Sequence, residues 1–426
     1  MTQYNRRDWL RMMALLQGSL LLSGGLTADT KRNSSPTLLV VSGWQDVNIG
    51  DIAHTPGLLH VLETFIPEAK IILWKKSAEN EEVAQMLHQN FPRVKIVYGG
   101  FNSDKMIDNP EISEVFKQAD IMVHGSGPSV VGIDHLEAWQ KQTGKPFGIF
   151  GTTIQTIDER LKALLLKASF IFTRETASIN ALQKAGIMGK HILMAPDATF
   201  YLNIRNDKRA DVFLKENNLE TEKFICVVPR LRITPYYKIR KVDWTAERIK
   251  KVEETNEKYK EADHAKLREA MIAWVRKTGN KVLICPEMTY QVDIMDELLI
   301  NPLPEDVKPF VIKRSYWMPD EAASVYAQAF AVISFECHSP IIALANGIPA
   351  FYLRQPEDTI KGQMYYDLGA TDWVFEIEQT TGKHVTDRLM TLINDRKGAL
   401  ALVKTIQGNV KSRYKDAILE MKRTCF

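Results

Sequence analysis

"WQDVNIGDIAHTPGLLHVLETFIPEAKIILW", residues 44–74, places a short Gly-Asp stretch between an apolar run and a segment of helical period. The run before it, TLLVVSGW (37–44), is short, apolar and β-branched, the composition of a buried strand. After it, Leu58, Leu59, Leu62, Phe65 and Ile66 recur at helical spacing, and AKIILW (69–74) repeats the strand signature. The unit is strand, loop, amphipathic helix, strand, which is the building block of a parallel sheet with crossover helices. Loops leaving the carboxyl ends of such strands line the ligand crevice. VNIGD (47–51) is expected to be one of them.

Outward from this unit the same alternation continues. Strand patterns at VKIVYG, DIMVHGSG, PFGIFGTT, FIFTRE and ILMAPD alternate with helical patterns at EISEVFKQA, DHLEAWQKQ, IDERLKALLLKA and TASINALQKAG. A polar stretch then precedes FICVVPRLR, and alternation resumes through KVLICPE, VKPFVIK, FAVISFE and PAFYL. The reading is α/β: two Rossmann-like doubly wound domains facing each other across a cleft, the GT-B plan. Their expected extents are 37–205 and 222–395, followed by a helical tail over 396–426 that could pack back across both.

Length agrees, since 426 residues exceed what one core normally organises. A net charge of +3 gives no reason to expect a nucleic-acid partner. No apolar run of about 18–20 residues follows residue 40, so no membrane span is expected in the mature chain. The N-terminus differs in kind. Arg6 and Arg7, an apolar segment from Met12 to Leu22 and then small residues have the layout of a twin-arginine-type export signal over 1–28. Cleavage after Ala28 would leave a flexible segment at 29–36 and a periplasmic protein; the other reading is an uncleaved anchor or a cytoplasmic chain. Cys226, Cys285, Cys337 and Cys425 match no metal or redox spacing and read as free thiols. No His/Asp/Glu group has convincing metal-ligand spacing, so no structural metal is expected, and a loosely bound divalent ion is left open.

Candidate chemistry gathers at predicted strand ends. In VNIGD, Gly50 permits a close approach or a positive φ, while Asn48 and Asp51 are both typical helix N-caps. The helix start is an anion site or a plain structural cap. Gly125, Ser126 and Gly127 form a second glycine-containing strand exit, which a tight turn explains equally well. Arg174 ends a strand, where it either clamps a carboxylate or phosphate or pairs with a neighbouring acid. Asp197 closes the first half, as ligand or cap. Arg230 and Arg232 end a strand of the second half, ahead of a basic, aromatic loop. His338 stands between an apolar strand and an apolar helix begun by Ser339 and Pro340, a position suited to acid–base work or to a structural role.

Taken in order, VNIGD, ADIMVHGSG, FTRETASINALQKAG, APDATF, VVPRLR and CHSPIIALANGIPAFYL resemble the polysaccharide pyruvyl transferase family, over about residues 37 to 375. The resemblance implies transfer of a pyruvyl group from phosphoenolpyruvate, as co-substrate without a further cofactor, to two hydroxyls of a sugar in a surface polysaccharide or exopolysaccharide. It implies that Arg230, Arg232, Arg174 and Lys361 bind the donor, with His338 as the catalytic or donor-binding residue. Asn48, Gly50, Asp51, Gly125, Ser126, Gly127, Asp197 and Ser339 are then cleft-loop positions. One position departs from the family: two residues before His338, where members commonly carry arginine, this chain has Glu336. An anion there requires a compensating base or a side chain turned away. A GT-B glycosyltransferase with another donor, or an exported glycan-binding protein without catalysis, are the other two readings of the same cleft.

Overall fold

The computed structural model describes residues 35–78, 80–102, 107, 109–240 and 242–426. The export signal expected over 1–28, and 29–34 of the adjoining segment, lie outside them. Seven strands form the first sheet: β1 (Thr37–Ser42), β2 (Lys70–Lys75), β3 (Lys95–Val97), β4 (Ile121–His124), β5 (Phe147–Thr152), β6 (Phe170–Thr173) and β7 (Ile192–Met194). Their order is β3-β2-β1-β4-β5-β6-β7, and every pairing is parallel. Six more build the second: β8 (Phe224–Val228), β9 (Lys281–Ile284), β10 (Val311–Lys313), β11 (Ala331–Ser334), β12 (Ala350–Arg354) and β13 (Val374–Glu376). These run β10-β9-β8-β11-β12-β13, again all parallel.

Strand composition follows from this placement. Leu38, Leu39, Val40 and Val41 of β1 are all fully buried, because helices cover both faces of the sheet and no alternation with polar residues is needed. Each sheet reverses its strand order once, between β1 and β4 and between β8 and β11. Loops diverge at such a switch point and leave a crevice. The segments after β1, β8 and β11 line the cleft there, joined by residues that follow β6, β7, β9 and β12.

Two details differ from the sequence reading. VNIGD is mostly not loop, since the helix Ile49–Phe65 begins within it and Asn48 is the cap, accepting from the backbone N–H of Gly50 and Asp51. That helix is also not amphipathic, for every residue from Ile49 to Leu59 is buried. It packs against the first sheet's layer on one side and touches helices Pro319–Tyr326 and His338–Ala345 of the second half on the other. The C-terminal helix Arg396–Cys425 reaches β6, β7 and helices Ile49–Phe65 and His338–Ala345, so the chain end crosses both halves. Pro36–Phe426 form one unit. Among the described residues no helix is long and apolar enough to cross a membrane, and the four cysteines are free thiols.

Candidate active site

Between the halves lies a cleft of ≈ 350 Å³, lined from the first half by Trp44, Asn48, Asp51, Lys76 and Arg174 and from the second by Arg230, Tyr236, Arg240, Glu336, His338 and Lys361. A larger depression of ≈ 640 Å³ sits at Thr37, Lys70 and Lys95, the amino ends of β1–β3, away from the strand-end loops. Backbone pairing stitches the cleft floor together. The Ile49 N–H donates to the Glu287 carbonyl at 2.9 Å, and the Thr289 N–H donates to the Val47 carbonyl at 3.1 Å. Residues 47–49 are therefore paired with the segment after β9.

His338 is the first residue of its helix and is 7% exposed, its edge open to the cleft. Nδ1 lies 3.0 Å from Glu287 Oε1, while the other Glu287 oxygen accepts from the Ser339 N–H at 2.6 Å and Oγ at 2.8 Å. Burial works against ionisation of Glu287, but His338 and these Ser339 donors hold its carboxyl below the usual range. Being an acceptor only, Glu287 places the hydrogen on Nδ1. Nε2 faces His54 Nε2 at 3.1 Å, and Asp197 Oδ2 is 3.2 Å from His54 Nε2 and 3.8 Å from His338 Nε2. Burial opposes charge on the His338 imidazole too; Cys337, Asp197 and Glu287 override it and raise the pKa well above the ordinary value.

Gly50 is the reason the ring fits. It has no positive φ; instead a Cβ there would fall 2.2 Å from His338 Cγ. Close approach, not backbone freedom, is the requirement. Gly125 and Gly127 are tight in the same sense, a Cβ meeting Ser42 Oγ and Trp44 Nε1 at 2.9 Å each. Ser126 is wholly buried and its Oγ accepts from the Ala198 N–H at 2.9 Å, which steadies Asp197 beside it. The hydroxyl of Tyr414, on the C-terminal helix, donates to the Asp197 carbonyl at 2.7 Å.

The four proposed donor cations separate into different situations. Arg230 and Lys361 face the cleft and share Asp358, at 2.5 and 3.1 Å. Arg174 also reaches the lining, yet it is 1% exposed and bound to Asp197 Oδ2 at 2.7 Å and Thr153 Oγ1 at 2.6 Å. It clamps a carboxylate of its own chain. Asp197 caps Thr199 through its other oxygen; burial alone would raise its carboxyl, but His54, His338 and Arg174 pull it well below the ordinary value. Arg232 is outside the lining: it pairs with Asp263 at 2.5 and 3.0 Å, stacks on Tyr259, and is held from the other side by Glu378 at 3.2 Å. Such a fork is structural.

Glu336 does not stand alone. Its carboxylate is 3.4 Å from Arg230 Nε and accepts from Gln291 Nε2 at 2.8 Å. Burial pushes the carboxyl up to about 7, against the pull of Arg230. Arg230 is thus the compensating base that the sequence demanded.

His54 and Glu287 went unnoticed in the sequence because neither sits at a strand exit with a recognisable motif. His54 lies one turn into a helix that reads as amphipathic, and Glu287 follows KVLICP without a pattern of its own. His54 does fall three residues after Asp51, on the face that carries the cleft residues, and that spacing was the available signal.

Residues 48–355 match the family model described as Polysaccharide pyruvyl transferase. Comparison with curated proteins gave no match. Solved structures share the fold. A putative UDP-N-acetylglucosamine 2-epimerase from Listeria monocytogenes is 12% identical, with a TM-score of 0.58 over 91% of this chain and 95% of that one. UDP-GlcNAc 2-epimerase from Neisseria meningitidis, bound to UDP-GlcNAc, is 11% identical with a TM-score of 0.57 over 91% and 100%. HepE from Anabaena, in complex with UDP-glucose, is 11% identical with a TM-score of 0.53 over 91% and 98%. These likenesses, with two parallel sheets and alternating helices, make the fold GT-B-like α/β.

Proposed function

The chain belongs to the polysaccharide pyruvyl transferase family, and from that premise we propose that it moves a pyruvyl group from phosphoenolpyruvate onto two hydroxyls of one sugar in a surface polysaccharide or exopolysaccharide. The observation that carries the reading is the cationic cleft: Lys76, Arg230, Arg240 and Lys361 converge around His338 in one cavity. Phosphoenolpyruvate brings a phosphate and a carboxylate, and both need such partners. Arg230 and Lys361 are the donor-binding pair, and His338 is the residue on which the donor rests.

The reaction balances without redox chemistry. A proton adds to the methylene carbon, C2 becomes oxocarbenium-like, and the first sugar oxygen bonds to it. Phosphate then leaves as the second sugar oxygen closes the ketal, and the two hydroxyl protons account for the new methyl hydrogen and the protonated phosphate. Holding both hydroxyls against C2 is where a rigid cleft contributes most. Asn48 and Asp51 line the cleft next to Gly50, which supports a role for them in holding the sugar or the loop against it. The Arg6-Arg7 leader supports a periplasmic place of action.

The test is incubation of the full chain with phosphoenolpyruvate and an oligosaccharide acceptor, with the ketal methyl read by NMR and phosphate release measured alongside. A ketal whose formation falls at least a hundredfold in His338→Ala is expected. Undiminished turnover in that variant, or consumption of a nucleotide sugar with no ketal formed, would overturn the reading.

A further inference from the structure

We infer that His54, Asp197 and His338 form a binding site for one divalent transition-metal ion. The three side chains come from separate places: the helix Ile49–Phe65, the segment after β7, and the start of the helix His338–Ala345. They meet with His54 Nε2, His338 Nε2 and Asp197 Oδ2 all within 4.8 Å of one another. The edges of that triangle are 3.1, 3.2 and 3.8 Å. Donors about 2.1 Å from a common ion lie roughly 3 to 3.5 Å apart at angles near 90–110°. Two edges already match, and the third closes by a few tenths of an ångström.

What surrounds the donors supports a ligand role. Glu287 takes the Nδ1 hydrogen of His338 at 3.0 Å, which fixes the ring and makes Nε2 the nitrogen an ion would take in place of a proton. A carboxylate in that position is the usual outer partner of a metal-bound histidine. His54 Nδ1 has no hydrogen-bond partner and lies 3.8 Å from Asp51 Oδ1, so a hydrogen there turns toward a carboxylate. Asp197 is anchored by Arg174 on Oδ2 and by the Thr199 N–H on Oδ1, and all three ligands are buried. Asp197, Glu287 and Asp51 surround the two imidazoles, and Arg174, which Glu175 also approaches at 3.6 Å, is bound to Asp197 alone of the three. Without an ion, the two facing Nε2 atoms need a single hydrogen between them. Two imidazoles with one carboxylate select Zn²⁺, Co²⁺, Mn²⁺ or Fe²⁺ over Mg²⁺ and Ca²⁺. Since His338 lines the cleft, the ion would lie at its floor, with positions left for water or an anionic ligand.

The experiment is calorimetric titration of the tag-free, chelator-dialysed full chain with Zn²⁺ and with Mg²⁺, in the absence of phosphoenolpyruvate and glycan. One Zn²⁺ per chain is expected, with Mg²⁺ at least a hundredfold weaker. His54→Gln should lose the site, and Glu287→Gln should weaken it 10–100-fold. In case the variants fold poorly, X-ray absorption of the zinc-loaded wild type should count two imidazole nitrogens. No zinc uptake by the folded wild type, a first shell without two imidazoles, or undiminished binding in His54→Gln would each overturn the proposal. Uptake is read without turnover, so zinc binding with no ketal formed would sink only the proposed reaction, and ketal formation by a chain that takes up no metal would sink only this site.

Discussion

Replacing Gly50 with alanine adds one methyl group and tests the geometry of the whole cleft. The new Cβ would stand 2.2 Å from His338 Cγ and Nδ1, against an ordinary contact of about 3.4 Å or more, so the ring must retreat by over 1 Å. Nothing allows that movement cheaply. Nδ1 is bonded to Glu287 at 3.0 Å and Nε2 to His54 at 3.1 Å, and a shift of that size stretches one or both past hydrogen-bond range. Overpacking costs about 1–3 kcal/mol, and a lost hydrogen bond to a charged group about 1.5–3 kcal/mol. The expectation is about 3 kcal/mol of lost stability in urea, together with a fall of about a hundredfold in ketal formation, the usual penalty for a 1 Å misplacement. Gly100→Ala is the control, since a Cβ there meets nothing within 4 Å. A Gly50→Ala protein with turnover within threefold of wild type and stability within 0.5 kcal/mol would refute the account of why this glycine is needed.

Arg174→Met should destabilise the fold by about 3–5 kcal/mol, because it strands Asp197 in a buried site without its 2.7 Å partner; a denaturant midpoint unchanged from wild type would contradict the pairing. Arg232→Ala is expected to weaken the fold through loss of the Asp263 fork while leaving phosphoenolpyruvate affinity within threefold, as calorimetry on the folded variant would read. Glu336→Arg, which installs the residue common in the family, should lower donor affinity, since it sets a second cation against Arg230 and removes the acceptor of Gln291; tighter binding in that variant would show that Arg230 is not the compensating base. His124 accepts the Gly132 N–H at 3.0 Å through Nε2, and burial pushes its pKa down to about 3. The folded state therefore binds fewer protons than the unfolded chain once pH falls below about 6.5, and its stability drops from there toward the folded value. The loss from this group is about 2 kcal/mol between pH 7.5 and pH 5, and a His124→Gln protein should show a correspondingly flatter stability profile in urea.

Periodicity made the architecture legible. TLLVVS and KIILWK could be read as buried parallel strands because a sheet covered on both faces asks for unbroken apolar runs, a requirement written into consecutive residues. VNIGD could be placed at the crevice because the strand before it ends there. Its inner division was not readable: loop and first helical turn contain the same residues, and only the acceptor geometry of Asn48 separates them. The amphipathic reading of Ile49–Phe65 failed for a related reason. Its polar residues Asp51, His54 and Thr55 are buried, His54 against His338 of the other half and Thr55 against Ser42 of its own, and a single-sequence pattern equates polar with exposed.

The strand–helix alternation of each half and the place of His338 at a strand exit follow from local chain chemistry, since each rests on residues close together in sequence. The partners of those residues do not. Arg174 and Arg232 look alike as strand-end arginines, yet one closes on Asp197 near the floor and the other on Asp263 outside the cleft. His54 and His338 are 284 residues apart, and Glu287 comes from a third segment. Spacing along the chain carries no record of such a meeting, because it is made by packing two separately wound sheets against a shared helix. The sequence by itself determined where a site could be; the tertiary structure alone decided which charges cancel there and which remain for a ligand.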